Sequence, residues 1–215
     1  MLEIASYGFE TVEVFAAPAH VDYRNPSVVA DLQQWLAEAG LDLHSVHAPV
    51  GAELDDEVDQ ALFVARRIPV KVFVLRAEGT RDVARRSVDR IAALAAPLGV
   101  KVAVEAAPED PSPVGSLVHF VEEDLDVEVG IGLDFGREHR RGDLVDAIET
   151  VAEHLIEVRV PVESTIDWAS ALTTVQKIGY EGPLVFDADA RGPAKETLAR
   201  AKTAREKMER WLTST

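Results

Sequence analysis

The chain has 215 residues, 47% hydrophobic and 28% charged, enough for one sizeable core and ordinary for a globular domain. Its formal charge of −16 repels phosphate backbones and argues against nucleic acid as a partner, and no apolar run approaches the roughly 20 residues of a membrane helix. The chain has no cysteine, which removes disulfides, thiolate metal sites and cysteine nucleophiles together.

In chain order, Met1 opens a helical stretch that leads into a β-branched run at Thr11–Phe15. It lacks a basic segment followed by an apolar one, so no signal peptide is visible and a cytoplasmic location is expected. Asn25-Pro26 is a helix start, an N-cap followed by proline at the first helical position. Val28, Val29, Leu32, Trp35, Leu36 and Ala39 then follow the i, i+3, i+4, i+7 spacing of a helix with a buried face. Leu43–His47 and Val70–Arg76 read as the second and third strands. Val88, Ile91, Leu94 and Ala95 mark the next helix, and Val100–Glu105 the fourth strand. The proline-rich loop Ala107–Gly115 is a candidate lid. Val129–Asp134 and Leu155–Val160 are the fifth and sixth strands. Asp167 reads as the N-cap of a helix carrying Trp168, Leu172 and Val175, and Pro183–Asp187 is the seventh strand. Gly40, Gly99 and Gly179 each stand just past a helix, where a left-handed cap is expected. Trp35 and Trp168 are expected on core faces, and Trp211 is placed to dock the last helix.

Alternation of strand and helix predicts a parallel sheet with crossover helices in a single domain spanning residues 1–215. A barrel and an open doubly wound sheet both satisfy the pattern, but no glycine-rich nucleotide-binding loop follows a strand. A TIM-type (β/α) barrel needs eight strands. Seven are visible, with the first apparently missing, so such a barrel is either truncated or open beside Thr11–Phe15. An open edge invites pairing with a second copy.

Strand side chains alternate between faces. Parity read back from each strand end gives an inward set: Glu13 with Thr11 and Phe15, His47 with Ser45, Glu105 with Ala103 and Lys101, Asp134 with Gly132, Arg159 with Glu157, and Asp187 with Val185. Arg76 and Arg137 stand at or just past strand ends. The outward sets, Val102 and Val104, Ile131 and Leu133, Ile156 and Val158, are apolar. His44 falls on the face opposite His47, as a structural histidine. Polar residues at strand ends often mean only that those ends meet water. Several on different strands at the same end mark the position where parallel barrels carry active sites.

The stretches GFETVEVFAAPAHVDYRNP, HSVHAP, VAVEAAPED, GIGLDFGREH and TIDWASALTTVQKIGYEGPLVFDAD, in this order and spacing, resemble the xylose isomerase-like TIM-barrel superfamily. Within it they are similar to bacterial sugar phosphate isomerases/epimerases. The resemblance implies a divalent metal (Mn, Mg or Zn) held by a Glu, an Asp, a His and a second Glu on four late strands. Those positions carry Glu105, Asp134, Arg159 and Asp187. Two further histidines of the family align with Arg76 and Arg137, whereas His47 is retained. Glu105 and Asp187 are thus the candidate catalytic carboxylates. Glu13, His47, Arg76, Arg137 and Arg159 are the candidate substrate-binding residues, and Glu105, Asp134 and Asp187 are metal ligands only if a metal is bound at all.

Arginine has no lone pair to give a metal. The expectation is therefore no cofactor, with guanidinium groups as the internal counter-charge, unless His139 or His154 supplies the missing nitrogen. Two functions follow. One is an isomerase or epimerase acting on a small carbohydrate by carboxylate-mediated proton transfer with a degraded metal site. The other is a non-catalytic or metal-free relative binding a small polar or anionic metabolite. Apurinic endonucleases share the superfamily, but their several metals require histidines that this chain lacks.

Overall fold

The computed structural model describes residues 1–17, 20–49, 55–107, 112–162, 164–187 and 193–213. Seven strands form one parallel sheet in sequence order: β1 Thr11–Phe15, β2 Asp42–His47, β3 Val72–Ala77, β4 Lys101–Ala106, β5 Gly130–Asp134, β6 Leu155–Pro161 and β7 Leu184–Asp187. The helices are α1 Leu2–Ser6, α2 Pro26–Ala39, α3 Asp55–Ala61, α4 Phe63–Arg67, α5 Arg81–Ala95, α6 Val114–His119, α7 Phe135–Arg141, α8 Leu144–Thr150, α9 Trp168–Lys177 and α10 Ala194–Thr213. Part of the lid candidate, 108–111, lies outside the described residues.

Local chemistry sets several boundaries. Asn25 Oδ1 accepts from the Ser27 N–H, Pro26 occupies the first turn of α2, and Gly40 ends the helix at φ 64°. That left-handed conformation is one a side chain disfavours. Asp167 Oδ1 accepts from the Ala169 and Ser170 amides and starts α9. Val102, Val104, Ile131, Leu133 and Val158 are buried in the large apolar cluster shared by the outer face of the sheet and the helices. Trp168 packs against that cluster. Trp35 does not take the core position its spacing predicts: it is 51% exposed, while Val29, Leu32 and Leu36 fill the buried stripe of α2. Trp211 is 44% exposed, and the buried residues of α10 are Ala201 and Met208. Among the described residues no helix is long and apolar enough to cross a membrane.

The sheet curls into a nearly closed barrel with one unsealed seam, between β1 and β7. Side chains bridge the seam region: the rings of Phe9 and Phe186 meet edge-on at 6.1 Å, and the Arg205 guanidinium lies 5.0 Å over Phe9 while donating to the Gly8 carbonyl.

Two bulges shape the barrel floor. Pairing passes from Val12↔Leu43 to Glu13↔Ser45, leaving His44 extra, and from Ile131↔Leu155 to Gly132↔Glu157, leaving Ile156 extra. An extra residue reverses side-chain parity below it. Ile156, expected among the outward residues, instead packs on Val72, Val74 and Ala103, a small cluster separate from the main core. Gly130 makes room for it, since a Cβ there would lie 2.5 Å from Ile156 Cγ1. His44, expected to be a satisfied histidine on the helix side, has its Nε2 3.6 Å from the Glu157 carboxylate and without a hydrogen bond.

Candidate functional site

The carboxyl halves of β1, β2, β3, β4 and β6 bring Glu13, His47, Arg76, Glu105 and Arg159 into one buried cluster. Arg159 is its hub. Its Nη2 lies 2.9 Å from Glu13 Oε1, and its Nε 3.4 Å from Glu105 Oε1. Glu105 Oε2 faces His47 Nε2 at 3.3 Å and Arg76 Nε at 3.9 Å. Ser45 Oγ donates to Glu13 Oε2 at 2.8 Å. Register accounts for part of this, because Arg76 pairs with Glu105 and Glu13 with Ser45 on neighbouring strands. A glycine accounts for another part: a Cβ on Gly132 would stand 2.9 Å from Glu105 Cγ.

His47 Nδ1 lies 2.8 Å from the Ala48 carbonyl oxygen, and its Nε2 faces Glu105. Both partners only accept, so the ring can donate to both only when doubly protonated. Burial alone would raise the Glu105 pKa. The His47 hydrogen bond, with Arg159 and then Arg76, overcomes it and holds the carboxyl down at about 2. Burial works against the charge on Arg159, but Glu105 and Glu13, with Asp187 and Glu157 behind them, hold its pKa above the ordinary value.

One step below lies a residue that sequence reading placed inward without a role. Glu157 is fully buried, and neither oxygen is hydrogen-bonded to a donor. Burial first, and then neighbouring Glu13, push its pKa up to about 10. His44 moves the other way, lowered by burial and by Lys71. The 3.6 Å contact between them is therefore a carboxylic acid beside a neutral imidazole rather than an ion pair. Ser45 is the other contributor without an assigned role. For both, the signal was parity: Glu157 shares a face with Arg159, and Ser45 with His47.

Other sequence candidates fall elsewhere. Asp134 is the register partner of Arg159, but its Oδ1 accepts from the Arg137 amide at 3.0 Å and caps α7. Arg137 is buried in α7 with its guanidinium on Glu138. Asp187 is exposed at the end of β7 and acts electrostatically on Arg159. His139, a candidate for the missing nitrogen ligand, belongs to α7 and meets Thr165 Oγ1 at 2.9 Å. His154 meets Glu122 at 2.9 Å. Tyr23 is buried, with its hydroxyl 3.5 Å from Glu57, and Arg24 also pairs with Glu57. Among the described residues no group of three or more His, Cys, Asp or Glu is arranged to hold a metal ion.

A nearly closed parallel barrel with charged side chains gathered at the carboxyl ends of its strands agrees with the family model that matches residues 1–215, the xylose isomerase-like TIM barrel. The chain belongs to this family. Solved structures share the family fold. A D-tagatose 3-epimerase-like protein superposes with a TM-score of 0.82 at 17% identity, covering 99% of this chain and 92% of its own. A xylose isomerase domain protein from Planctomyces limnophilus gives 0.80 at 17%, covering 100% and 93%. D-psicose 3-epimerase from Clostridium cellulolyticum H10, solved with D-tagatose, gives 0.77 at 18%, covering 98% and 91%. No curated protein matches the sequence.

Proposed function

We propose that this chain acts on a small carbohydrate at the carboxyl ends of its strands, by carboxylate-mediated proton transfer, with Arg159 in place of a metal ion. The observation that carries the reading is the Arg159 guanidinium lying 2.9 Å from Glu13 and 3.4 Å from Glu105. The residues present do not fit the divalent cation that the family resemblance implies. The position of the nitrogen ligand holds a group with no lone pair. Glu105 is already shared among His47, Arg76 and Arg159, and Asp134 caps a helix. Like charges would also place a dication and this guanidinium in mutual repulsion.

Glu105, held at about 2, is a poor base. Its part is to fix Arg159. Asp187 is the exposed carboxylate within electrostatic reach of Arg159, and in this reading it removes the proton beside a substrate carbonyl. Arg159 then stabilises the oxyanion that forms. The carbohydrate class is supported by the relatives, among them the epimerase solved with D-tagatose.

The test is deuterium incorporation beside the carbonyl of ketohexoses and sugar phosphates, followed by NMR in deuterated water with excess EDTA. Exchange that tolerates EDTA and is abolished by Asp187→Asn is expected. Exchange that EDTA abolishes, or that survives Asp187→Asn, overturns the reading. The lowered pKa of Glu105 favours a second reading, a non-catalytic member that binds a polar or anionic metabolite. It would show saturable thermal stabilisation without exchange, lost in Arg159→Ala.

A further inference from the structure

At the opposite end of the barrel, the floor contains a cavity of about 500 Å³ lined by the amino-terminal ends of β2, β3, β4 and β6 and by the loop before β7. The His44 ring lines it, with its buried Nε2 lying 3.6 Å from the Glu157 carboxylate behind it. Lys71 and Lys101 both line it, and their backbones meet where the amide of Lys101 donates to the Lys71 carbonyl at 3.0 Å. Both lysines are exposed. No ion pair joins either of them to a carboxylate among the described residues, whereas Arg24, Arg76, Arg81, Arg85, Arg90 and Arg159 all have carboxylate partners. In a chain of net charge −16, two cations without a carboxylate partner among the described residues, on the lining of one cavity, form a local positive site with a concave wall. Glu181 is the acidic residue on the lining. Glu157, behind His44, keeps its proton and adds no negative charge there.

We propose that this floor cavity is a binding site for a small oxyanion, a phosphate or a carboxylate, whose charge is met by Lys71 and Lys101 beside the His44 ring. Lysine suits this role as a mobile point charge. The cavity opens at the opposite end of the barrel from Asp187 and uses none of the residues assigned to proton transfer, so it stands or falls independently of that reading.

Inorganic phosphate is the probe, titrated at constant ionic strength against chloride. The readouts are the imidazole resonances of His44 and the melting temperature. A saturable shift of the His44 resonances with matching thermal stabilisation is expected, and Lys71→Gln/Lys101→Gln should weaken binding by about tenfold or more, the loss of a charged hydrogen bond. The same phosphate response should persist in Asp187→Asn. Three results overturn the proposal: no saturable response at His44, a response confined to His47 at the other end, or an undiminished affinity in the double lysine variant.

Discussion

Arg159→Met removes the guanidinium while keeping an unbranched side chain of similar length. The Arg159, Glu13 and Glu105 side chains are 13%, 9% and 6% exposed, so little solvent is available to replace the lost charge. At an effective dielectric of about 20, unit charges at the observed 2.9 and 3.4 Å attract by about 6 and 5 kcal/mol before desolvation is subtracted. Breaking such a buried pair from one side costs about 3–5 kcal/mol net. That is the loss of unfolding free energy expected near pH 7. The sign of its pH dependence follows from Glu105. With a folded pKa of about 2 against the ordinary 4.5 of a glutamate, Glu105 contributes stability that is present above about pH 4.5 and lost as pH falls toward 2. Without Arg159 that pKa rises, so the variant can protonate Glu105 where the parent cannot. The deficit should shrink between pH 7 and pH 4. Urea denaturation at both pH values measures it, and Glu13→Gln/Arg159→Met completes a cycle in which the cost of losing Arg159 is smaller. A variant as stable as the parent at pH 7, or a deficit undiminished at pH 4, would refute the account of Arg159 as the neutralising hub.

Glu157→Gln should be progressively favoured as pH rises. A folded pKa of about 10 against 4.5 costs the parent about 1.4 kcal/mol per pH unit across that window, so from pH 6 to 9 the advantage of the amide should grow by up to about 4 kcal/mol; denaturation curves at the two pH values show it. Gly132→Ala places a methyl 2.9 Å from Glu105 Cγ and should cost about 1–3 kcal/mol as overpacking, seen as a lower denaturation midpoint. Arg159→His returns an imidazole beside Glu105 and should introduce a Mn²⁺-dependent rise in melting temperature that the parent does not show; equal responses in the two proteins count against the displacement of the cation by Arg159.

Much of the barrel was legible because the hydrophobic period switches cleanly between strand and helix. Thr11–Phe15 is the first strand as read, and the other strand limits differ from the sequence reading by two residues or fewer. What escaped was local. A bulge inserts one residue without disturbing the apolar pattern, so His44 between Leu43 and Ser45, and Ile156 between Leu155 and Glu157, carry no sign of reversed parity. Trp35 has helical spacing with Leu32 but sits at the margin of a stripe already filled by Val29, Leu32 and Leu36. At the cluster, parity placed Glu13, His47, Glu105 and Arg159 on one face. It could not pair Arg159 with Glu13, because that contact joins residues 146 positions apart in the chain and depends on how the sheet curls. Nor could it foresee Asp134 turning to cap α7, which follows from the helix beginning at the very next residue.

The charge balance of the barrel interior ties the site to the residue beneath it. Glu13 and Glu105 face Arg159, with Arg76 and His47 beside Glu105. An ionised Glu157 would add another carboxylate next to Glu13 at a point with no solvent exposure. The nitrogen opposite it belongs to His44, which burial and Lys71 disfavour as a cation. An uncompensated buried charge costs several kcal/mol, far more than retaining a proton at neutral pH. The interior therefore holds its charges at the level of Arg159 and keeps the level below neutral. That division sets a permanently protonated arginine deep in the barrel between Glu13 and Glu105, and in the reaction proposed above it leaves Asp187, outside the buried cluster, as the carboxylate that exchanges protons with a ligand.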